Sequence, residues 1–575
     1  MGQVGLEPLA ARLLWSRGIR ETKAAAEFRE APISGLHDPG LLPGLDTAAT
    51  RILEALQRHE PVVVYGDYDV DGVCASAILF RVCRAIVPGA PISTYVPSRL
   101  DEGYGLHAGA VAALAREGAR VIISVDCGIT AFEAAAAARA GGADLIITDH
   151  HSFHVGSPSG SPQVPDAFAV VHPRLPGSAY PFAELCGAGV AFKLAWRLAT
   201  LAAGTERVSS EMRSLLLDML ALAALGTVAD IVPLTGENRV IARHGLRRLR
   251  STSIIGLGAL IDASGLTDEN VDAESVGLIL GPRLNACGRM GHARQAVELL
   301  TTNDRARAAE IARELSRLND ARRRAERAMF DEAAPMAERA GMTGPDRRAI
   351  VLAAEGWSQG IVGIVCSRLV DRFHRPTILL RREDGLCHGS ARSIDGFSML
   401  AALQECSGLL RTFGGHDMAA GLTLDAVNFT AFVDRFVDLA NASLESQDLT
   451  RSLRIDCPAR IDELTPLALE QVSAFGPFGR GNPSPSILIE SVAATRAPEP
   501  LGAGGAHASF FARQDRRELR ILGWNWGARR RDIPHGVPLD LVVEPKISTW
   551  NGRSRVEAVL RDVRVRESAP LAVPA

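Results

Sequence analysis

Between Gly66 and Gly72 the chain reads Gly-Asp-Tyr-Asp-Val-Asp-Gly, which sets Asp67, Asp69 and Asp71 at alternate positions directly after the apolar run Val62-Val63-Val64. Three carboxylates this close repel one another and resist ionisation, so a fold that keeps them charged needs a compensating cation. Hard oxygen donors favour Mg²⁺ or Mn²⁺. Val62 to Val64 reads as a short buried strand and Val73 to Val87 as a mostly apolar helix. The acids therefore occupy a strand-to-helix turn, where open parallel sheets bind their ligands.

Two more strand ends extend the set. Arg120 to Val125 is a β-rich run that ends at Asp126 and precedes an alanine-rich helical pattern from Ala131 to Ala140. Asp144 to Thr148 is a strand that ends in Asp149-His150-His151. Right-handed crossovers bring such ends to one edge of a parallel sheet, so Asp69, Asp71, Asp126 and His150 can converge. Asp230 is a further candidate, in Leu225-Gly-Thr-Val-Ala-Asp-Ile-Val-Pro-Leu234 just beyond the apolar helix around Leu215 to Leu225. Singly, each has an ordinary alternative: Asp126 could cap a helix, Asp-His-His could be a surface turn, Asp230 could pair with an arginine. Jointly they suit two divalent ions bridged by a shared carboxylate, an arrangement that activates water for in-line attack on phosphorus.

Other stretches carry groups suited to phosphate. Arg283, Asn285 and Arg289 surround a glycine-bearing turn, and planar guanidinium groups match phosphate oxygens with paired donors. Gly414 and Gly415 before His416 would let backbone N–H groups approach an anion as a nest does, although a Gly-Gly pair is otherwise simply a turn. Ser390 and Arg392 share a side if their segment is extended.

The first acidic motif, Ser124-Val-Asp-Cys-Gly-Ile129 and Asp149-His-His151 resemble the successive motifs of the DHH phosphoesterase superfamily. Further stretches narrow the resemblance to its RecJ family of bacterial single-strand-specific exonucleases. They are Pro97-Ser-Arg-Leu-Asp-Glu-Gly-Tyr-Gly105, Leu225 to Pro233, Gly281-Pro-Arg-Leu-Asn-Ala-Cys-Gly-Arg-Met290, Gly389-Ser-Ala-Arg-Ser393, Phe413-Gly-Gly-His416 and Pro477-Phe-Gly-Arg-Gly-Asn-Pro483. The resemblance implies that Arg99, Ser390 and Arg392 form a pocket for the 5′-phosphate of a strand end. At two positions the chain departs from the pattern: Tyr65 stands where many relatives have His, and Trp357-Ser358-Gln359-Gly360 where many read Trp-His-x-Gly. Tyr is a poor ligand for Mg²⁺, so one ion is held by fewer protein groups or by Asp67 in addition.

With 575 residues the chain is too long for one core and should hold about three or four domains. A net charge of −3 argues against a broad phosphate-coating surface and leaves room for a narrow basic groove. Only Lys23, Lys193 and Lys546 are lysines, which fits codon bias in a GC-rich genome. Nine scattered cysteines without any C-x-x-C imply neither a disulfide framework nor a zinc site and suit a reducing, cytoplasmic setting. No leader pattern and no bilayer-length apolar run is read, so no membrane association is expected.

The expected fold class is α/β and multi-domain. Residues 1–60 read as a helical segment, and 61–300 as the metal-binding catalytic domain on a parallel sheet. Residues 301–344 read as a long charged helix with Pro335 as a kink, its arginines in the main a solvated face. A second α/β pattern over 345–445 is, by resemblance, the DHH-associated domain that closes over substrate. Short strands over 451–566 suggest a small barrel, in the family an OB-fold that tracks single strands, with Phe510, Phe511, Trp524, Trp526 and Trp550 as stacking candidates or core residues. A tail, 567–575, is expected to be disordered.

The expected activity is a two-metal, 5′ to 3′ exonuclease releasing 5′-mononucleotides from single-stranded DNA in recombination and repair. Asp126 bridges the ions, Mn²⁺ or Mg²⁺; Asp69, Asp71, His150 and Asp230 complete them; Asp67 and Asp149 orient these ligands; His151 binds or protonates substrate. The family implies a single-strand binding protein and a RecQ-like helicase as partners of a monomer. Alternatives are a phosphodiesterase of short oligonucleotides or cyclic dinucleotides, and a non-catalytic replication or repair scaffold. A dinucleotide-binding enzyme is disfavoured, because acids replace G-x-G-x-x-G at the first turn.

Overall fold

The computed structural model describes residues 5–98, 102–103, 105–153, 162–267, 271–290, 293–550 and 553–566. Helices α1 (Pro8–Ser16), α2 (Thr22–Glu30) and α3 (Leu45–Gln57) precede a β/α unit. Its elements are β1 (Val62–Gly66), α4 (Val70–Ile86), β2 (Ile92–Tyr95), α5 (Ala108–Arg116), β3 (Val121–Val125), α6 (Phe132–Ala140), β4 (Asp144–Thr148) and β5 (Ala169–Val171). Strand order is β2-β1-β3-β4-β5, every pair parallel. The order reverses between β1 and β3, so loops leaving these strands diverge and open a crevice at their carboxyl ends. Val62 and Val64 face α3 and α4, whereas Val63 and Tyr65 face α5 and α6, as period-two alternation requires.

Helices α7 (Gly187–Ala203), α8 (Ser210–Ala229) and α9 (Gly236–Leu249) complete this first core. Among the described residues α8 alone is long and apolar enough to cross a membrane, contrary to the expectation that no run was. Its Met219, Leu220, Leu222 and Leu225 are instead buried against the neighbouring helices.

The expected single long helix starts later than its charge pattern suggested. A separate helix, Arg294–Thr301, ends at Thr302, and Asp304 caps the linking helix Arg305–Arg339 by accepting from the Ala306 and Arg307 N–H groups. Pro335 lies inside it. At 35 residues it spans roughly 50 Å. Ala308 to Leu315 pack in the first core and Met329 to Ala337 in the next, so one rod belongs to two domains.

The second sheet has the order β6 (Ile350–Ala354), β7 (Thr377–Glu383), β8 (Leu386–Arg392), β10 (Ala419–Asp425), β9 (Thr412–His416). Only β6 and β7 pair in parallel.

The last sheet comprises β11 (Cys457–Pro458), β12 (Ile487–Ala494), β13 (Glu499–Leu501), β14 (His507–Gln514), β15 (Arg517–Gly523), β16 (Pro538–Trp550) and β17 (Arg553–Val565). It closes into a barrel through the β12–β14 pairing. Leu9, Leu13 and Leu14 of α1 lie in the barrel's core, so the first helix belongs to the last domain, whereas α3 belongs to the catalytic one. Phe510 and Trp526 are buried there; Trp524 is half exposed; the Trp550 side chain lies outside the described residues, as does the segment 567–575. From α9, Arg239 and Arg243 donate to the carbonyls of Phe28, Ala474 and Gly476, which joins barrel to catalytic domain through backbone acceptors.

Candidate metal centre

Asp69 caps α4, its Oδ1 accepting the Asp71 and Gly72 N–H groups at 2.9 and 3.2 Å. Helix α4 thus begins three residues earlier than its apolar pattern, and Asp71 sits in its first turn. A side chain on Gly72 would stand 2.6 Å from the Asp67 carbonyl, so only glycine permits this tight return.

Asp71 is buried, and its carboxylate accepts the Gly187 N–H at 2.6 Å and the Ala188 N–H at 2.9 Å at the start of α7. Unpaired N–H groups and the positive end of a helix dipole are natural partners for a carboxylate. Cβ atoms added at Gly187 and Gly226 would lie 2.5 Å from Asp126 Oδ1 and 2.4 Å from Asp71 Oδ1, so α7 and α8 reach the acids because they present glycine there. Sequence reasoning gave these two glycines and Ala188 no role. Their signal was Cys186-Gly-Ala-Gly189 opening an apolar helix and the glycine four residues before Asp230.

Asp126 follows β3 with φ of +62°, a conformation unusual for a residue other than glycine, Asn or Asp. Asp149 lies below the cluster. One oxygen takes the Ile129 N–H; the other takes the N–H groups of His150 and His151 and faces His151 Nδ1 at 2.7 Å. Burial works against its charge, but these partners hold the Asp149 carboxyl well below the usual range. Burial likewise disfavours the His151 imidazolium, yet the hydrogen bond and charge of Asp149 reverse that and raise it to about 9. His150 is held down to about 4 by burial and by His151, so its ring is neutral, as a metal ligand must be.

The ligand atoms fall into three sets, each within 4.8 Å: Asp67, Asp69 and Asp126; Asp71, His150 and Asp230; Asp126, His150 and His151. Burial and then the charges of Asp71 and Asp69 push Asp126 well up and lift Asp230 to about 8. Asp126 Oδ1 and His150 Nε2 are buried and approach to 3.1 Å, yet among the described residues neither makes a hydrogen bond. Crowded acids, a neutral imidazole and two buried atoms without a hydrogen-bond partner fit hard divalent cations.

Tyr65 points to the opposite face of the sheet. Its ring stacks on Tyr95 at 5.0 Å and its hydroxyl donates to the Gly105 carbonyl at 3.2 Å, away from the acids. Arg99 lies outside the described residues.

The stretch with Arg283, Asn285 and Arg289 is helical, Gly281–Met290, rather than a turn: it continues without a break from Ala273–Ser275 through a π-helical segment, Val276–Leu280, that directly precedes Gly281 and Pro282. Arg283 donates to the Ile279 carbonyl and to Ser316 on the linking helix. The Asn285 amide oxygen takes the Val70 N–H at 3.1 Å, and Arg289 donates to the Gly360 carbonyl at 2.8 Å, tying the catalytic domain to the second one. Ser358 precedes that helix, Gln359–Phe373, without a side-chain cap.

Ser390 and Arg392 share one face of β8; a Cβ on Gly363 of the Gln359–Phe373 helix would lie 3.4 Å from Ser390 Oγ and 3.2 Å from the Arg392 guanidinium. Gly414 and Gly415 lie in the extended edge strand β9 rather than in a turn, since pairing with β10 straightens them. His416 ends β9. Partial desolvation and then the charge of Arg392 lower its pKa, with Arg480 and His151 acting the same way, so charges from all three domains act on it.

Family models match in the same order: the DHH family N-terminal domain over residues 61–227, the DHHA1 domain over 346–445 and the RecJ OB domain over 455–562. The single-stranded-DNA-specific exonuclease RecJ of Bacillus subtilis is 39% identical over 98% of this chain and 69% of its own length. The chain belongs to the RecJ family. Another family member, from Thermus thermophilus, is 32% identical over 100% of this chain and 78% of its own. Crystal structures of the T. thermophilus RecJ in complex with Mn²⁺ and with Mg²⁺ align with TM-scores of 0.82 and 0.76, at 31% and 30% identity. Each covers 99% of this chain, and 77% and 76% of its own. Both ions bound to that RecJ are of the class this donor set suits.

Proposed function

We propose that the chain is a metal-dependent exonuclease that hydrolyses single-stranded DNA from the 5′ end to 5′-mononucleotides in recombination and repair. The observation that carries this reading is the convergence of sets sharing Asp126 at the carboxyl ends of β1, β3 and β4, in a chain so similar to RecJ over its whole length. Asp67, Asp69 and Asp126 would hold one divalent ion, Mn²⁺ or Mg²⁺, and Asp71, His150 and Asp230 a second, with Asp126 as the carboxylate they would share. Bound there, such ions lower the pKa of water and neutralise charge on a phosphate.

The chain's own residues do the rest. Gly187, Ala188 and Asp149 hold acids and histidines in one geometry, so little rearrangement accompanies reaction. As the water oxygen bonds to phosphorus and loses its proton to solvent, the bond from phosphorus to the departing 3′-oxygen breaks. His151, an imidazolium at neutral pH, gives that oxygen its proton. Ser390 and Arg392, with Arg99, take the terminal 5′-phosphate and so set polarity; the free edge of β9 with His416, and Arg289, border the strand. Arg283 and Asn285 support it from behind, through the linking helix and α4.

A recessed metal centre need admit only one strand, so in this reading duplex awaits a helicase of RecQ type, and a single-strand binding protein presents the substrate. The enzyme acts as a cytoplasmic monomer. Incubating 5′-phosphorylated DNA, single-stranded or blunt duplex, with Mn²⁺ or Mg²⁺ tests this. Metal-dependent shortening from the 5′ end, confined to the single strand and lost in Asp126→Ala, is expected. Equal digestion of blunt duplex would remove the strand specificity, and an inactive wild type the exonuclease reading itself.

A further inference from the structure

Asp230, His416 and Arg480 come from three domains, and the charge of Arg480 is felt at both of the others. Arg480 occupies the tight turn Gly479 to Asn482, whose end residues exchange N–H to carbonyl bonds of 2.9 and 3.1 Å. That turn is braced on every side. Buried Asn482 donates to the Phe475 and Pro477 carbonyls at 2.9 and 2.8 Å and accepts from Arg17 at 2.6 Å. The Arg480 carbonyl takes the Leu234 N–H at 2.7 Å. A Cβ on Gly479 would lie 2.8 Å from Leu234, and one on Gly481, at φ of +74°, 3.1 Å from Pro233, so the turn lies flat against the loop that follows Asp230.

The guanidinium contrasts with its backbone. It is exposed, enters no ion pair among the described residues, and makes one long hydrogen bond, 3.4 Å to the Ile231 carbonyl. Arginine carries five donors in a planar fork that matches phosphate. A rigid turn that presents such a fork beside a cluster of acids provides what a strand needs there, since the acids repel phosphate wherever no cation intervenes.

We propose that Arg480 is a substrate-binding residue, its guanidinium taking a non-bridging phosphate oxygen of the single strand as the strand passes between the metal centre and the barrel. The barrel thereby supplies part of the site itself and not only a tether. This rests on the exonuclease reading above. The rival role is a brace: Ile231 is β-branched and holds φ of +58°, and Arg480 would steady that loop and so Asp230.

Steady-state digestion of 5′-phosphorylated single-stranded DNA by wild type, Arg480→Ala, Arg480→Lys and Arg480→Glu separates the two, with Mn²⁺ affinity measured independently from the electron paramagnetic resonance of the free ion. Loss of a charge-assisted hydrogen bond should raise KM about tenfold in Arg480→Ala at nearly constant kcat. The log–log salt dependence of kcat/KM should flatten by about 0.7, the share of one phosphate contact on a single strand. Lysine should restore most of the affinity and glutamate should be worse than alanine, with Mn²⁺ affinity not weakened. An unchanged KM and salt slope overturns the proposal, as does weaker Mn²⁺ binding at unchanged KM, the signature of the brace. An inactive wild type overturns the exonuclease reading and this one with it; an active wild type beside an unaffected Arg480→Ala overturns this one alone.

Discussion

His150 Nε2 stands 3.1 Å from Asp126 Oδ1, and both atoms are buried without a hydrogen bond among the described residues. Buried polar atoms are normally satisfied, and Asp126 also faces Asp71, Asp69 and Asp230, so the cluster destabilises the metal-free fold and stabilises the loaded one. Asparagine keeps the left-handed backbone at position 126 without the charge. Asp126→Asn should therefore melt higher than wild type in EDTA, by a few degrees for a gain of about 1 kcal/mol. In Mn²⁺ the order should invert, and activity should fall at least ~10³-fold with loss of the bridging ligand. A lower melting point for the variant in EDTA would show that the acids do not oppose one another.

The same crowding fixes a pH dependence. Asp230 is raised to about 8 by burial, Asp71 and Asp69, far above its unfolded value. A carboxyl raised in the folded state contributes stability that is complete below the unfolded pKa, near 4, and is lost as pH rises through 8. Metal-free protein should thus melt at progressively lower temperature from pH 5 to pH 8. Mn²⁺ must displace these protons, so its affinity should rise over the same interval, and calorimetry in buffers of different ionisation enthalpy should detect proton release on binding. Binding that is independent of pH would contradict the raised carboxyls.

His151 holds its proton up to about 9 largely through Asp149, 2.7 Å from Nδ1. Replacing that carboxylate with an amide removes both the charge and the acceptor that favour the imidazolium. Asp149→Asn should lower kcat about 10- to 100-fold, the usual cost of removing such an orienting partner. It should also move the alkaline fall of the rate from near pH 9 toward lower pH. A reduced rate with an unmoved alkaline limb would leave Asp149 a purely structural role.

Leu13 is fully buried in the barrel core although over 400 residues separate it from the strands around it. Leu13→Ala should destabilise the barrel by ~2–5 kcal/mol while leaving the metal centre able to bind Mn²⁺. Thermal unfolding followed by tryptophan fluorescence, beside Mn²⁺ titration at low temperature, reads the two separately.

That helix marks where the sequence stopped being readable. Strand ends at Gly66, Val125 and Thr148 were legible because each apolar run stops at a carboxylate, and period and turn chemistry are local signals. The barrel strands were legible for the same reason, though β16 and β17 run 13 residues each, well past their apolar centres, because the hairpin arm pairs with itself. Membership of α1 in the barrel core has no local signal. Gly281–Met290 misled in the opposite way, since glycine and proline usually punctuate turns but here lie within a continuous helical stretch that begins at Ala273. Gly414-Gly415 carried the same ambiguity and settled as an edge strand.

The glycines of α7 and α8 lay beyond sequence reasoning, because their role is the absence of atoms where another element's carboxylate must fit. A Cβ at Gly187 would lie 2.6 Å from Asp126 Cβ, and one at Gly226 2.4 Å from Asp71 Oδ1 and 2.7 Å from Ala188 Cβ. None of these neighbours is a long flexible chain that could swing aside, so the carboxylates or the helices must shift. Helix propensity favours alanine by about 1 kcal/mol at Gly226, inside α8, and by less at Gly187, the first residue of α7; overpacking of ~1–3 kcal/mol opposes it at both. Gly187→Ala and Gly226→Ala should thus change melting temperature modestly yet weaken Mn²⁺ binding about 10- to 100-fold, as displacement of an orienting partner does. Gly258→Ala, inside the helix Ile255–Ala263 where the added atom meets nothing within 4 Å, is the control expected to leave Mn²⁺ binding unchanged and to melt slightly higher. Wild-type Mn²⁺ affinity in the two tight variants would mean that the acids adapt to the new methyl groups, and that close approach of α7 and α8 is not what positions them.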